Sequence, residues 1–156
     1  MKNGEFAAAR TRRSWSGRYW VAAVALLAGA ALHTLVHAQL PPAESYQGVE
    51  YVSGGFGSDN AEAFKAAQAQ YPLALTFAAA DEDGGSRPYV ADVHVVVKDD
   101  NDTVVLDAPS VGPYLLAKLQ PGNYEVAATY LGETQTRRIQ VKDAGSARET
   151  ITWKRR

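Results

Sequence analysis

Histidine is the side chain in this 156-residue chain best suited to acid–base chemistry, and there are three of them. His33 and His37 follow an N-terminal apolar stretch, which leaves His94 for a site in a folded domain. A nucleophilic mechanism would pair His94 with a serine, and Ser53 and Ser110 are the candidates. Neither serine lies in the Gly-x-Ser-x-Gly turn that exposes a nucleophile in α/β-hydrolases. We therefore predict that His94 is a polar residue on the outward face of a strand, and a hydrolase that uses His94 is the alternative.

Few residues could bind a metal. The chain has no cysteine, which excludes thiolate zinc sites, iron–sulfur clusters and disulfides. Carboxylates cluster in two predicted turns, Asp81-Glu82-Asp83 and Asp99-Asp100-Asn101-Asp102. Neither turn has the alternating acids, central glycine and terminal glutamate of a calcium loop, and ordinary turn chemistry accounts for both. We expect no metal, no cofactor and no enzymatic activity.

The N-terminus has the pattern of an export signal. A basic stretch over 1–18 is followed by an apolar stretch over 19–32, and Val36 and Ala38 place small residues at the −3 and −1 positions. This pattern predicts a signal peptide that is cleaved after Ala38, so that the mature chain begins at Gln39. The apolar stretch is shorter than the roughly 20 residues of a membrane-spanning helix, which makes an uncleaved anchor the weaker interpretation. We predict a periplasmic protein, with Sec and twin-arginine export both open.

Charge restricts the partners of the mature chain. Residues 39–156 carry 11 basic and 16 acidic side chains, a net charge of −5. An acidic domain argues against nucleic acid and against anionic lipid as the main partner. The basic run Lys154-Arg155-Arg156 is expected to be a solvated terminus. The sequence therefore predicts a protein or polysaccharide partner, with membrane contact only through an uncleaved signal segment.

A single helix is predicted near the start of the mature chain. Residues 39–45, with two prolines, read as an extended linker. The N-terminal segment 46–72 then contains a run of helix formers over 61–70, and Asp59 and Glu62 have the spacing of a capping box. A proline after this run ends the predicted helix.

From Leu73 onwards the hydrophobic period changes to two, which indicates strands with one buried face. Tyr124 shares its face with Val126 and Ala128, whereas Glu125 points the opposite way. Seven short strands are predicted, at 73–78, 93–97, 103–107, 114–119, 124–130, 134–141 and 148–153. The chain is therefore expected to form a mainly antiparallel β-sandwich with one N-terminal helix.

The segment Leu119-Gln120-Pro121-Gly122-Asn123-Tyr124 resembles the Leu-x-Pro-Gly-x-Tyr turn of carboxypeptidase regulatory-like domains, which belong to the prealbumin-like (transthyretin-like) group. The resemblance implies a seven-stranded sandwich over 73–156, in which Leu119 and Tyr124 cap the core. Pro121 and Gly122 would supply the fixed φ and the permissive φ of a tight turn. The chain also resembles small exported bacterial proteins of this class that have no established activity.

These features together predict a non-catalytic, exported binding or structural accessory module. Aromatic side chains that reach the surface would contribute the binding face, and the candidates are Tyr46, Tyr51, Phe56, Tyr89, Tyr114 and Tyr130. A carbohydrate-binding module similar to starch-binding sandwiches is the first alternative, because such domains also use exposed aromatic rings.

Overall fold

Two β-sheets face each other in the computed structural model of this protein, which describes residues 39–81 and 88–154. The first sheet has the strand order β1-β2-β6-β3-β9, and the second has the order β5-β4-β7-β8. The strands are β1 (Glu44–Tyr46), β2 (Val49–Gly54), β3 (Leu73–Ala80), β4 (Val93–Asp99), β5 (Val104–Ser110), β6 (Tyr114–Ala117), β7 (Gly122–Tyr130), β8 (Glu133–Val141) and β9 (Ala147–Lys154). The mainly-β class and the two sheets agree with the sequence prediction. The predicted signal peptide and its cleavage site at Ala38 lie outside the described residues.

Alternation along the strands produces the core between the sheets. Val93, Val95 and Val97 are fully buried, whereas His94 between them is exposed. In β7, Val126 and Ala128 are fully buried on the predicted face. The period-two interpretation of these strands is therefore confirmed.

The outer face of the first sheet is also buried, along β2, β6 and β3. Helix α1 (Ser58–Ala67) lies across that face and ends in a 3₁₀ turn at Gln68–Gln70. Phe64 of the helix packs in a second apolar cluster with Val52 and Leu116 of the sheet. Because both faces of β6 are covered, all four of its residues are buried and it shows no alternation.

The N-terminal segment differs from its prediction. Nine strands are present among the described residues rather than seven, because β1 and β2 join the first sheet. The predicted linker 39–45 is shorter than expected, since β1 begins at Glu44. Leu40 within the linker packs against the second cluster.

The helix begins earlier than predicted, and the capping-box interpretation is wrong. Gly57 occupies the N-cap position without any side-chain cap, and its carbonyl accepts the Ala61 amide at 3.0 Å. Asp59 instead lies in the first helical turn, where its charge favours the positive end of the helix dipole. Among the described residues, no helix is both long and apolar enough to cross a membrane.

The edge strands β8 and β9 connect the two sheets. The Arg137 Nε lies 3.5 Å from the Glu149 Oε1, and the Trp153 indole donates to the Glu133 carbonyl at 2.9 Å. Strand β9 pairs in parallel with β3, with Leu73 opposite Ala147. The C-terminal ends of β3 and β9 therefore lie at the same end of the sandwich.

Candidate functional site

One end of the sandwich carries the exposed apolar side chains. We call it the loop end: β2, β3, β5, β7 and β9 finish there, and β4, β6 and β8 begin there. The described residues include four exposed large hydrophobic side chains, and each follows a different strand of this set. They are Phe56 (61% exposed), Tyr89 (54%), Val111 (53%) and Leu131 (88%). Four separate segments at this end of the sandwich thus each carry one exposed apolar group.

Beneath Tyr89 lies a stack of aromatic rings. The Tyr89 ring centroid is 5.5 Å from that of Tyr114, and the Tyr114 ring is stacked at 5.8 Å on Phe64 of the helix. Gly55 makes the stack possible, because a Cβ at this position would collide with the Tyr114 ring. Gly55 also has a φ of +99°, which favours glycine. The stack gives Tyr89 a rigid base.

The Tyr114 hydroxyl is buried and has no hydrogen-bond partner among the described residues. Burial raises the pKa of Tyr114, and the neighbouring Tyr89 phenol raises it further. An unpaired buried hydroxyl costs stability. This cost arises where the helix, β6 and the loop end meet.

Two serine side chains and one close backbone contact hold the Val111 loop against the first sheet. The Ser110 hydroxyl donates to the Gly112 carbonyl at 2.8 Å, and the Val111 amide donates to the Ser53 hydroxyl at 3.3 Å. Gly112 packs directly on the backbone of Gly54, so that a Cβ there would collide with the Gly54 carbonyl oxygen. Both serines proposed as nucleophiles are therefore occupied in shaping this loop.

A cleft of about 590 Å³ opens at the loop end beside the β7–β8 turn. Its lining is Ala79, Tyr130, Leu131, Gly132, Glu133, Trp153 and Lys154. Trp153 is only 2% exposed, and its ring packs at 5.5 Å from the Tyr130 ring. The cleft therefore combines apolar side chains with one carboxylate and one ammonium group, but it offers no free tryptophan face.

The structure gives His94 a partner but no nucleophile. Its Nε2 lies 2.7 Å from the Asp107 Oδ1, and both side chains are exposed on the outer face of the second sheet. Ser110 pairs across from Val93, so it shares the inward face that Val93 occupies. His94 and Ser110 thus lie on opposite faces of the sheet, and this arrangement cannot form a Ser-His-Asp triad.

The acidic turn uses its carboxylates for its own backbone. The Asp99 Oδ1 accepts the amides of Asn101 and Thr103 at 2.8 and 2.9 Å. The Thr103 amide is the main reason that the pKa of Asp99 is lowered. Asp102 adopts a φ of +59° in the same turn. Over residues 39–81 and 88–154, no group of three or more acidic or histidine side chains is arranged to hold a metal ion.

The residues of the Leu-x-Pro-Gly-x-Tyr motif lie at the end opposite the loop end. Leu119 is buried in the main core, and the Tyr124 hydroxyl donates to the Gln120 carbonyl at 2.8 Å. This bond, from a tyrosine to the backbone four residues upstream, has the form of a tyrosine corner. Pro121 is exposed and Gly122 begins β7. The resemblance implied that Gly122 adopts a φ that only glycine tolerates well. This expectation is wrong, because the φ of Gly122 is not positive.

The six candidate aromatics divide according to where they lie. Phe56 and Tyr89 are exposed at the loop end, Tyr51 and Tyr114 are buried, and Tyr46 and Tyr130 are half-buried. Val111 and Leu131 were missed by the sequence argument. The sequence feature that could have indicated an exposed Leu131 is the Leu131-Gly132 turn, in which an apolar residue stands where a polar one is usual.

Comparisons with protein-family models, with curated proteins and with solved structures gave no match to this chain.

Proposed function

We propose that this protein is a non-catalytic module, exported to the periplasm, that binds its partner through the loop end. The observation that carries the proposal is that Phe56, Tyr89, Val111 and Leu131, the exposed large hydrophobics of the described residues, all lie there. Single exposed apolar residues are ordinary on protein surfaces, whereas a concentration at one place marks an interaction site. The export signal predicted from the sequence of 1–38 supports the compartment.

Strands β3 to β9 also support assignment of 73–156 to the carboxypeptidase regulatory-like group. They match the seven predicted strands in order, and the hydrogen bond from Tyr124 to Gln120 fits the Leu-x-Pro-Gly-x-Tyr turn. Strands β1 and β2 with helix α1 are then an N-terminal addition that extends and covers the first sheet.

The two alternatives have weaker support. A carbohydrate partner would need exposed ring faces, which Phe56 and Tyr89 offer but the buried Trp153 does not. A hydrolase would need a nucleophile beside His94, and the candidates Ser53 and Ser110 are buried.

Retention of envelope components by the immobilised protein tests the proposal. We expect the wild-type protein to retain a specific component of a solubilised envelope extract, and the double variant Phe56→Ser/Leu131→Ser to lose it. His94→Ala is the control for the hydrolase alternative, and Val96→Ser, on the outer face of the second sheet, removes an apolar group away from the loop end. Circular dichroism verifies that all variants are folded.

Equal retention by the wild type and the loop-end variant would refute the proposal. Loss of retention in His94→Ala alone would place the binding surface on the outer face of the second sheet rather than at the loop end. Identification of the retained material as protein, polysaccharide or lipid names the partner class.

A further inference from the structure

We infer that Arg137 closes the free edge of β8 against the β8 strand of a second copy of this chain. The inference goes beyond the proposed function, because it needs none of the four exposed apolar residues of the loop end. It follows from three features: the length and regularity of β8, the backbone groups that this strand turns away from β7, and the position of the Arg137 guanidinium across those groups.

Strand β8 is the edge strand best suited to pair with another strand. Among the described residues the sheets have four edges, at β1, β9, β5 and β8, and β8 is the longest of these strands with nine residues. It pairs with β7 in an unbroken register and contains neither proline nor glycine. By contrast, β1 has only three residues and β5 contains Pro109, and both features hinder strand addition. A long, regular edge such as β8 takes an extended backbone as its partner.

The turn between β7 and β8 determines which backbone groups face this edge. Leu131 and Gly132 both have a positive φ, as in a two-residue type I′ turn, and they connect Tyr130 to its strand partner Glu133. Tyr130 and Glu133 are therefore a hydrogen-bonded pair, and such pairs alternate along the ladder. The amides and carbonyls of the alternate residues point away from β7. These residues are all exposed, and they are Thr134, Thr136, Arg138 and Gln140.

The Arg137 side chain covers the middle of this row of backbone groups. Arg137 lies opposite the fully buried Val126, so its side chain leaves β8 on the face that looks towards the first sheet. Its Nε lies 3.5 Å from the Glu149 Oε1 in β9, and its Nη1 donates to the Thr136 carbonyl at 2.8 Å. The guanidinium group thus occupies an acceptor on the free edge of one sheet while it contacts the edge strand of the other.

Without this guanidinium, the edge matches a second copy of itself. Two antiparallel β8 strands related by a two-fold axis at Thr136 present the same row of groups to each other, so outward amides meet outward carbonyls. In this register Arg138 lies opposite Thr134 of the second copy, so no like charges are directly opposed. With Arg137 in place, the Thr136 carbonyl is already bonded and two guanidinium groups flank the axis on one face.

The association state of the protein tests the inference. The sample is the product that cells export and process from the full-length chain, and sedimentation velocity over a range of protein concentrations measures its mass. We expect Arg137→Thr to reach about twice the mass of the wild-type species, because the Thr136 carbonyl becomes free and threonine favours strands. Arg138→Thr is the matched control and should sediment as the wild type does. It removes the same charge from the next position, where the Arg138 Nε is 3.7 Å from the Glu125 Oε2 on the outer face.

A proline at the edge identifies the surface that associates. Thr136→Pro removes an amide that points away from β7, so the β7–β8 pairing is retained while an added strand loses a donor. We therefore expect Arg137→Thr/Thr136→Pro to return to the wild-type mass. Circular dichroism verifies that each variant is folded. If Arg137→Thr does not fold, Arg137→Val opens the same edge with a side chain suited to the position opposite Val126.

Equal masses of Arg137→Thr and the wild type would overturn the inference. Equal association of Arg138→Thr would also overturn it, because the loss of one positive charge would then be sufficient. Association that persists in Arg137→Thr/Thr136→Pro would mean that another surface, such as the β9 edge, is used, and the inference would fall. Retention of envelope components through the loop end is measured separately, so these outcomes leave the test of the proposed function unchanged.

Discussion

Two tyrosines in this protein show that the contribution of a hydroxyl group to stability depends on whether it finds a hydrogen-bond partner. The Tyr124 hydroxyl reaches the Gln120 carbonyl at 2.8 Å, so its bond connects β7 to the preceding turn. The Tyr114 hydroxyl is buried without such a bond. Removal of the first should therefore cost stability, whereas removal of the second should not.

Substitutions at Tyr124 and Glu125 test which face of β7 is buried. We expect Tyr124→Ala to lower the free energy of unfolding by about 2–4 kcal/mol, because a half-buried ring is removed from the core edge. Tyr124→Phe should cost about 1 kcal/mol through the lost hydrogen bond. Glu125→Ala, on the exposed face, should shift stability by no more than about 0.5 kcal/mol. Urea denaturation measures all three, and equal small losses for Tyr124→Ala and Glu125→Ala would contradict the assigned faces.

Tyr114 should make stability fall in alkaline solution. Burial raises the pKa of Tyr114 above that of an unfolded tyrosine, which is about 10. The unfolded chain therefore loses the proton first, and the free energy of unfolding decreases as the pH rises above about 10. Below that pH the phenol is protonated in both states and contributes no pH dependence.

Tyr114→Phe should make this alkaline decrease shallower, and the part that remains comes from Tyr51 and Tyr124, whose pKa burial also raises. At pH 7 the variant should be as stable as the wild type or more stable by about 1 kcal/mol, because the unpaired hydroxyl is gone. Urea denaturation at pH 7, 9 and 11 provides the comparison. A clear loss of stability in Tyr114→Phe at pH 7 would mean that the hydroxyl is hydrogen-bonded in solution.

The connection from β5 to β6 takes the chain from the second sheet to the first. It does so within residues 111–113, and the Phe77 amide of β3 donates to the Pro113 carbonyl at 2.9 Å. Gly112 allows this short crossing, because its backbone touches that of Gly54 in β2. The same contact positions Val111 at the loop end.

Two glycine substitutions should distinguish the stability cost of a steric clash from the cost of an unfavourable φ. Gly112→Ala places a Cβ against fixed backbone atoms of Gly54 and should cost about 2–4 kcal/mol or prevent folding. Gly132→Ala is the matched control, since nothing lies within 4 Å of its Cβ and only its φ of +81° is unfavourable. The control should cost about 1–2 kcal/mol. Thermal denaturation compares the two, and a milder effect at Gly112 would show that the 111–113 connection can shift away from Gly54 at little cost.

The described part of the chain is a sandwich whose first sheet is covered along β2, β6 and β3 on its outer face, and exposed apolar side chains lie at one end of the sandwich. Helix α1 covers the outer face of that sheet through Phe64 and Ala67. The outer face of the second sheet carries exposed polar groups such as His94 and Asp107. We therefore expect interaction through the loop end rather than through either sheet face.

Processing of the whole chain is the remaining prediction. The mature protein should begin at Gln39, because Val36 and Ala38 match the small residues that signal peptidase requires. N-terminal sequencing of the product from the envelope fraction determines the first residue. A membrane-retained product that begins at Met1 would contradict the periplasmic assignment and favour the anchor.

The local sequence pattern was sufficient to predict several features of this fold. The alternation of Val93, Val95 and Val97 assigned the buried face of β4 correctly, because successive side chains in a strand point to opposite sides. The helix formers after Asp59 predicted α1 within a few residues. Such signals depend on neighbours in the sequence alone, so the sequence was enough for the strand class, the buried faces of these strands and the helix that precedes β3.

Pairing between distant segments was decided only in the tertiary structure. The parallel pairing of Leu73 with Ala147 and the inclusion of β2 in the first sheet join residues far apart in the chain. The meeting of His94 with Asp107 depends on the register of the β4–β5 pair. Leu131 and Phe56 likewise share one end only because the strand order brings their loops there. A strand can satisfy its backbone hydrogen bonds with any partner, and the choice depends on the apolar area that the complete core buries.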